Sequence, residues 1–258
     1  MASVRDRSSA PALVSLAALT LLSAMATPAG RAMQHGGEAG RAAQDLLQPF
    51  RAEFVLEWKG MNAASASLEL TRQSAGQYTY TSRNNARGVF RALLSGELVQ
   101  ISRLQLEAGH VRPLSYRGED GSPDERRDVS LDFDWQRQRV TGTAEQRAVD
   151  LALQPGMQDI MSVQIALMAE LQQGRSPGGY VVIDKDHAKD YVYAAEGRAQ
   201  IQTAIGPLDT VIWTSHRPGS DRVIRVWYAP SLGHAPVKAE RRRGNRLEWS
   251  MRLVSLWR

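Results

Sequence analysis

A chain of 258 residues, 43% hydrophobic, 23% charged and 7% aromatic, with a formal charge of +5, is long enough for one large hydrophobic core. It is too close to the globular average for wholesale disorder, collagen or a polytopic membrane protein. The absence of cysteine removes disulfides, thiolate zinc sites, a cysteine nucleophile and the lipidated cysteine of a bacterial lipoprotein.

The N-terminus carries an export pattern. Arg5 and Arg7 precede an apolar stretch from Ala10 to Ala26, and Ala24-Met25-Ala26 supplies the small-x-small pattern of a cleavage site. The strongly apolar part is about thirteen residues, short of the roughly twenty that span a bilayer. Residues 1–26 are therefore expected to be a signal peptide cleaved after Ala26, with Thr27-Pro28-Ala29 as the second choice. The mature chain would then be periplasmic, with no stable transmembrane segment. Loss of Arg5, Asp6 and Arg7 lowers the formal charge by one. The remaining excess is spread along the chain rather than gathered on one face, so no nucleic-acid partner is expected. Residues 27–49, rich in Gly, Ala, Arg and Gln and including His35, are expected as a flexible leader, and residues 50–258 as a single β-barrel-like domain.

From Phe50 onward the pattern is alternation, the mark of half-buried strands. Phe54, Leu56 and Trp58 share a face, as do Ala64, Ala66, Leu68 and Leu70 after a turn at Gly60, and Tyr78 and Tyr80 after Gly76. A short helix or turn is expected over Val89–Leu94. The acids Glu119, Asp120, Asp124 and Glu125 around Gly121-Ser122-Pro123 read as a turn. Val129 to Trp135 alternates strictly over seven positions. Between Pro155-Gly156 and Gly174 the pattern changes: Met157, Ile160, Met161, Gln164, Leu167, Met168 and Leu171 recur at three- and four-residue steps, one stripe of a helix about four turns long. Strand patterns then return at 180–183, 191–194, 199–205, 210–214, 222–228, 236–241 and 246–257. Arg241-Arg242-Arg243 and Arg246 flank Gly244-Asn245, the signal of a solvated hairpin tip. The fold expected is mainly β: an antiparallel curled or closed β-barrel with one packed amphipathic helix, since ten or more strands in an open sheet leave sticky edges. A β-sandwich is the alternative.

The chain has no Gly-x-Ser-x-Gly elbow, no His-Glu-x-x-His zinc helix and no glycine-rich phosphate loop, so no catalytic residue, cofactor or metal is assigned. Asp184, Asp186, His187 and Asp190 have a density that calcium tolerates, but Lys185 and Lys189 offset it and the run lies between two strand patterns, which favours a hairpin turn. Met157, Met161 and Met168 on the helix stripe, with Trp213, Trp227 and Tyr228 on strands, are the candidate ligand-binding residues: methionines adapt to apolar ligands, and aromatics stack on sugars or acyl chains. For each of them core packing is the plainer role.

The C-terminal third carries a resemblance. Gly206-Pro207-Leu208-Asp209-Thr210-Val211, and the run Val226-Trp227-Tyr228-Ala229-Pro230-Ser231-Leu232-Gly233-His234-Ala235-Pro236-Val237-Lys238, resemble an exported bacterial family known as domain of unknown function 3108. Gly109 to Tyr116 (GHVRPLSY), Phe133-Asp134-Trp135 and the 159–171 helix fit it too. The resemblance implies a mostly antiparallel barrel-like fold, similar to small envelope proteins associated with capsule or surface-polymer export, and it supplies no catalytic residues. The Trp-Tyr-Ala-Pro turn also has a physical role: Pro230 ends a strand, Gly233 permits a left-handed backbone and Pro236 fixes the start of the next strand. The function expected is a non-enzymatic binding or assembly factor holding an apolar or glycan-bearing ligand, a lipid or a polysaccharide. An envelope hydrolase or lyase with scattered carboxylates, and a structural partner of an outer-membrane machine, are the alternatives.

Overall fold

Inside-outside alternation becomes strand almost wherever the sequence carries it. The computed structural model describes residues 46–92, 96–122 and 126–258; the expected signal peptide and residues 27–45 of the expected leader lie outside the described residues. Leu47 is fully buried and its carbonyl accepts a hydrogen bond from Arg72 Nη2 at 3.4 Å. The fold therefore starts before position 50, where alternation first becomes visible: one leucine is too little signal to mark a core contact.

Eight strands, β1 (Phe50–Trp58), β2 (Met61–Ser74), β3 (Gln77–Ala86), β4 (Leu98–Glu107), β5 (His110–Glu119), β6 (Val129–Asp134), β7 (Arg139–Ala144) and β8 (Arg147–Ala152), form a first meander. The two-residue strand β9 (Gln158–Asp159) and the helix α1 (Ser162–Gln172) follow. A second meander comprises β10 (Gly179–Asp184), β11 (His187–Thr203), β12 (Gly206–His216), β13 (Arg222–Ala229), β14 (Ala235–Arg243) and β15 (Arg246–Trp257). A 3-10 turn at Gly88–Ala92 stands where a short helix or turn is expected over 89–94, the last two residues of which lie outside the described ones. The runs expected at 191–194 and 199–205 are one long strand, β11, with a register shift between Ala195 and Gly197. That irregularity interrupts the alternation and makes one strand look like two.

All the strands join one sheet in the order β8-β7-β6-β5-β4-β3-β2-β1-β15-β14-β13-β12-β11-β10-β9. β1 is the hinge of this arrangement, pairing antiparallel with β2 on one side and β15 on the other. Among the described residues β8 and β9, the two ends, are not hydrogen-bonded to each other, so the sheet curls without closing. Side chains tie one end of the seam: Lys185 Nζ bonds Glu145 and Arg147 Nη2 lies 3.0 Å from Asp186 Oδ2. The concave face is the core. Phe54, Leu70, Tyr80, Leu131, Met251 and Leu253 from both meanders bury there with Ile165, Leu167 and Met168 of α1, each large apolar side chain contributing about 1.5–3 kcal/mol.

The helix is shorter and more deeply buried than its stripe implied. Ser162, Val163 and every residue from Ile165 to Ala169 are buried, because α1 lies inside the curl and is covered on more than one face. Met157 and Met161, expected on the stripe, precede it. What starts α1 is Asp159, whose Oδ1 accepts the backbone N–H groups of Met161 at 2.7 Å and Ser162 at 2.8 Å, satisfying donors that a helix N-terminus leaves unpaired. The Trp-Tyr-Ala-Pro segment behaves as its residues demand: β13 ends at Ala229, Pro230–Leu232 make a 3-10 turn, and Gly233 sits at φ +56° before β14 begins.

Candidate functional site

Packing of α1 against the curled sheet leaves a cavity of about 80 Å³. Met161, Gln164 and Leu167 form its helical wall, Leu56, Ala66 and Leu68 the wall from β1 and β2, and Trp213, Val226 and Met251 the wall from the second meander. Alternation explains the membership: Ala66 and Leu68 occupy successive inward positions of β2, and Trp213 and Ser215 of β12.

Polar groups at inward positions line one part of the cavity, and nearly all have partners. Gln164 of α1 spans the interior: its Oε1 accepts the hydroxyl of Tyr80 from β3, and its side chain also bonds Tyr228 of β13. Gln100 Nε2 donates to Tyr116 Oη at 2.9 Å, and Ser82 Oγ accepts from Asn84 Nδ2 at 3.0 Å. Burial holds the Tyr80, Tyr193 and Tyr228 phenols far above their ordinary value of 10, so they remain neutral donors. Deeper still, Asp159 is fully buried and accepts Ser102 Oγ at 2.6 Å besides the two helix N–H groups. Burial raises its pKa above 3.8, opposed by these hydrogen bonds.

Such a frame, a curled antiparallel sheet around one helix and a partly polar cavity, can be compared with known proteins. The profile of a family described as "Protein of unknown function (DUF3108)" matches residues 53–245. The chain belongs to the DUF3108 family. No curated protein sequence matches it. Among solved structures, a beta-barrel-like protein of domain of unknown function DUF1849 from Brucella abortus is 13% identical, with 81% of this chain and 96% of that chain covered and a TM-score of 0.51; at that identity the likeness is one of fold. The MucA/MucB complex of Pseudomonas aeruginosa is 12% identical over 86% of this chain and 57% of that chain, with a TM-score of 0.36. An exported protein of YmcC-like fold from Bacteroides fragilis is 8% identical, covering 82% and 97% with a TM-score of 0.37.

In this DUF3108 chain three of the six candidate residues, Met161, Trp213 and Tyr228, meet at the cavity, and three do not. Trp227 lies one position from Val226 and Tyr228, so the pleat turns it to the opposite face. There Lys238 Nζ stands 4.2 Å and Arg225 Cζ 5.8 Å from its ring centroid. Met157 is fully buried ahead of the helix, where the stripe runs past the helical residues, and Met168, inside the helix, is buried in the core away from the cavity wall. Sequence reasoning missed Gln100, Gln164 and Ser82. Gln100 and Ser82 are polar residues at strand positions whose parity points inward, Ser82 following Tyr78 and Tyr80, and Gln164 is the polar member of the otherwise apolar helix stripe.

The acidic run at 184–190 is the β10–β11 turn, with Asp184 paired to His187 across it. Two of its carboxylates are engaged: Asp184 by Lys189 at 2.7 Å, and Asp186 by Arg147 and the His187 ring. At the expected hairpin tip of β14 and β15 the turn is present, Arg243 facing Arg246. Arg241, however, is not at the tip. It shares the inward parity of Ala239 and stands 2.8 Å from Glu248 Oε2.

Proposed function

We propose that this protein is a non-enzymatic binding protein of the bacterial periplasm that holds an apolar chain in the cavity beneath α1. The observation that carries the proposal is the cavity wall: Leu56, Leu68, Leu167, Val226 and Met251 face a space that the surrounding core does not fill, although well-packed interiors leave few such voids. The export pattern at the N-terminus supports the compartment. Among the described residues the wall carries hydroxyls and amides but no carboxylate, an arrangement suited to holding rather than to hydrolysis by paired acids. The room is narrow, which suits one acyl chain better than a sugar ring.

The test is fluorescence of N-phenylnaphthylamine, a neutral probe, on the purified chain without residues 1–26. Binding, displacement by octan-1-ol, and loss of both in an Ala66→Leu variant that keeps its melting temperature are expected. Probe binding that survives Ala66→Leu unchanged, or no binding at all, overturns the proposal.

A second reading rests on the seam. β9 covers β10 only at Val182 and Ile183, and beside the rest of β10 runs a groove of about 650 Å³ lined by Gly179, Tyr180, Val181 and Pro155. An unpaired edge next to a groove is a place where an extended peptide adds a strand. Crosslinking from position 181 that captures one stoichiometric partner protein favours this reading over the first.

A further inference from the structure

Three neighbouring strands end their inward rows with arginine at the same rim of the curl. On β12 the row Trp213, Ser215 continues to Arg217; on β13 the row Val226, Ile224 reaches Arg222; on β14 Ala239 is followed by Arg241. Arg217 is 6% exposed, and its Nε is buried without a hydrogen-bond partner. Arg222 and Arg241 converge on a single carboxylate, Glu248, whose Oε2 lies 3.4 Å and 2.8 Å from their Nε atoms. Asp184, whose field reaches Arg217, is already bonded to Lys189 Nζ at 2.7 Å. No acid among the described residues forms an ion pair with Arg217, and Arg222 repels it. The buried Nε of this guanidinium is a cationic donor left without a partner, which carries an energetic cost that an anion's oxygen would relieve.

The three arginines bound a small pocket of about 10 Å³, room for one oxygen of an anionic head rather than for the whole head, with Tyr191, Ser215 and Ser220 as further hydrogen-bonding groups. Tyr191, Ser215 and Ile224 line both this pocket and the apolar cavity, so the two spaces share a wall. We propose that Arg217, with Arg222 and Arg241, seats the anionic head, a carboxylate or phosphate oxyanion, of an amphiphile whose chain occupies the cavity. The inference rests on the proposed binding function and specifies its ligand class. Arg217 is the residue that faces the head with no competing acid, and Arg222 and Arg241 share what Glu248 leaves of their charge.

Titration calorimetry with octanoate, octan-1-ol and inorganic phosphate separates the possibilities. Octanoate is expected to bind about tenfold or more tightly than octan-1-ol, and its affinity is expected to fall as salt is raised while that of the alcohol does not. Arg217→Met should remove the octanoate advantage and leave octan-1-ol unchanged, and Arg217→Lys should restore part of it. If Arg217→Met does not fold, the salt dependence on the wild-type chain and an Arg222→Met variant decide the matter. Equal binding of octanoate and octan-1-ol, unmoved by Arg217→Met, overturns the anion seat while the cavity proposal stands. Phosphate binding that depends on Arg217, with neither amphiphile bound, keeps the seat for a free anion and overturns the cavity proposal. No binding of any probe overturns both.

Discussion

Replacing Asp159 probes the joint between helix and sheet. Its carboxylate accepts three hydrogen bonds, from Ser102 Oγ and the N–H groups of Met161 and Ser162. Asp159→Ala leaves those three donors in a site with no exposure to solvent. At about 1–3 kcal/mol for each stranded buried donor, with the hydroxyl free to rotate toward another acceptor, a loss of about 3–5 kcal/mol is expected. Asp159→Asn retains an oxygen for the two N–H groups, and Ser102 can turn to accept from the new amide, so it should cost far less. The pH dependence gives a second, independent measurement. Burial raises the Asp159 pKa above 3.8, so the folded state holds this proton more tightly than the unfolded chain. The associated stability is fully present below the unfolded pKa and is lost as pH rises through the folded one. Urea unfolding followed by circular dichroism should therefore show the wild type losing stability relative to Asp159→Asn as pH rises above about 4. A wild type that gains on the asparagine variant over that range, or an Asp159→Ala loss under about 1 kcal/mol, refutes the reasoning.

Other substitutions have equally definite outcomes. Gln164→Leu deprives the Tyr80 and Tyr228 hydroxyls of their shared partner and should lower stability by about 2–4 kcal/mol, measured by denaturant unfolding; a change within error means solvent replaces the amide. Lys189→Met strands Asp184, whose side chain is 7% exposed, at an expected cost of about 3–5 kcal/mol, and adding Asp184→Asn should recover part of it; a double variant no better than the single one contradicts the pairing. Gly142 of β7 has φ +149°, and a Cβ there would lie 1.9 Å from the Ser130 carbonyl oxygen. Gly142→Ala must push β6 and β7 apart and should destabilise by about 3 kcal/mol or more, read as a thermal shift; an unchanged melting temperature means that the two strands separate freely.

Much of the sheet was legible because a half-buried strand has to alternate. Ala64 to Leu70 and Val129 to Trp135 announce their inward faces residue by residue. The helix was legible in place but not in extent: Met157 and Met161 continue its spacing from positions just before and just after β9, and only the contacts of the Asp159 carboxylate reveal where winding starts. Half of the candidate site was visible for the same reason as the strands. Trp227 failed because it was grouped with its neighbour Tyr228 by chemical type, when pleating separates adjacent residues. The arginine rim was invisible as a group, since Arg217, Arg222 and Arg241 come together only through pairing of β12, β13 and β14; in the sequence Arg241 belongs to a basic run that reads as solvent-facing.

The pairing of β1 with β15, Phe54 beside Leu253 and Leu56 beside Met251, sets a timetable for assembly. Each meander zips up through local hairpins, which is fast, but the suture between them joins residues almost two hundred positions apart and must wait for the last strand to arrive. Until then β1 presents a bare hydrogen-bonding margin and an uncovered apolar face, the two conditions under which chains stick to one another. Shielding during that interval is a need that the topology itself creates, whatever the finished protein goes on to hold.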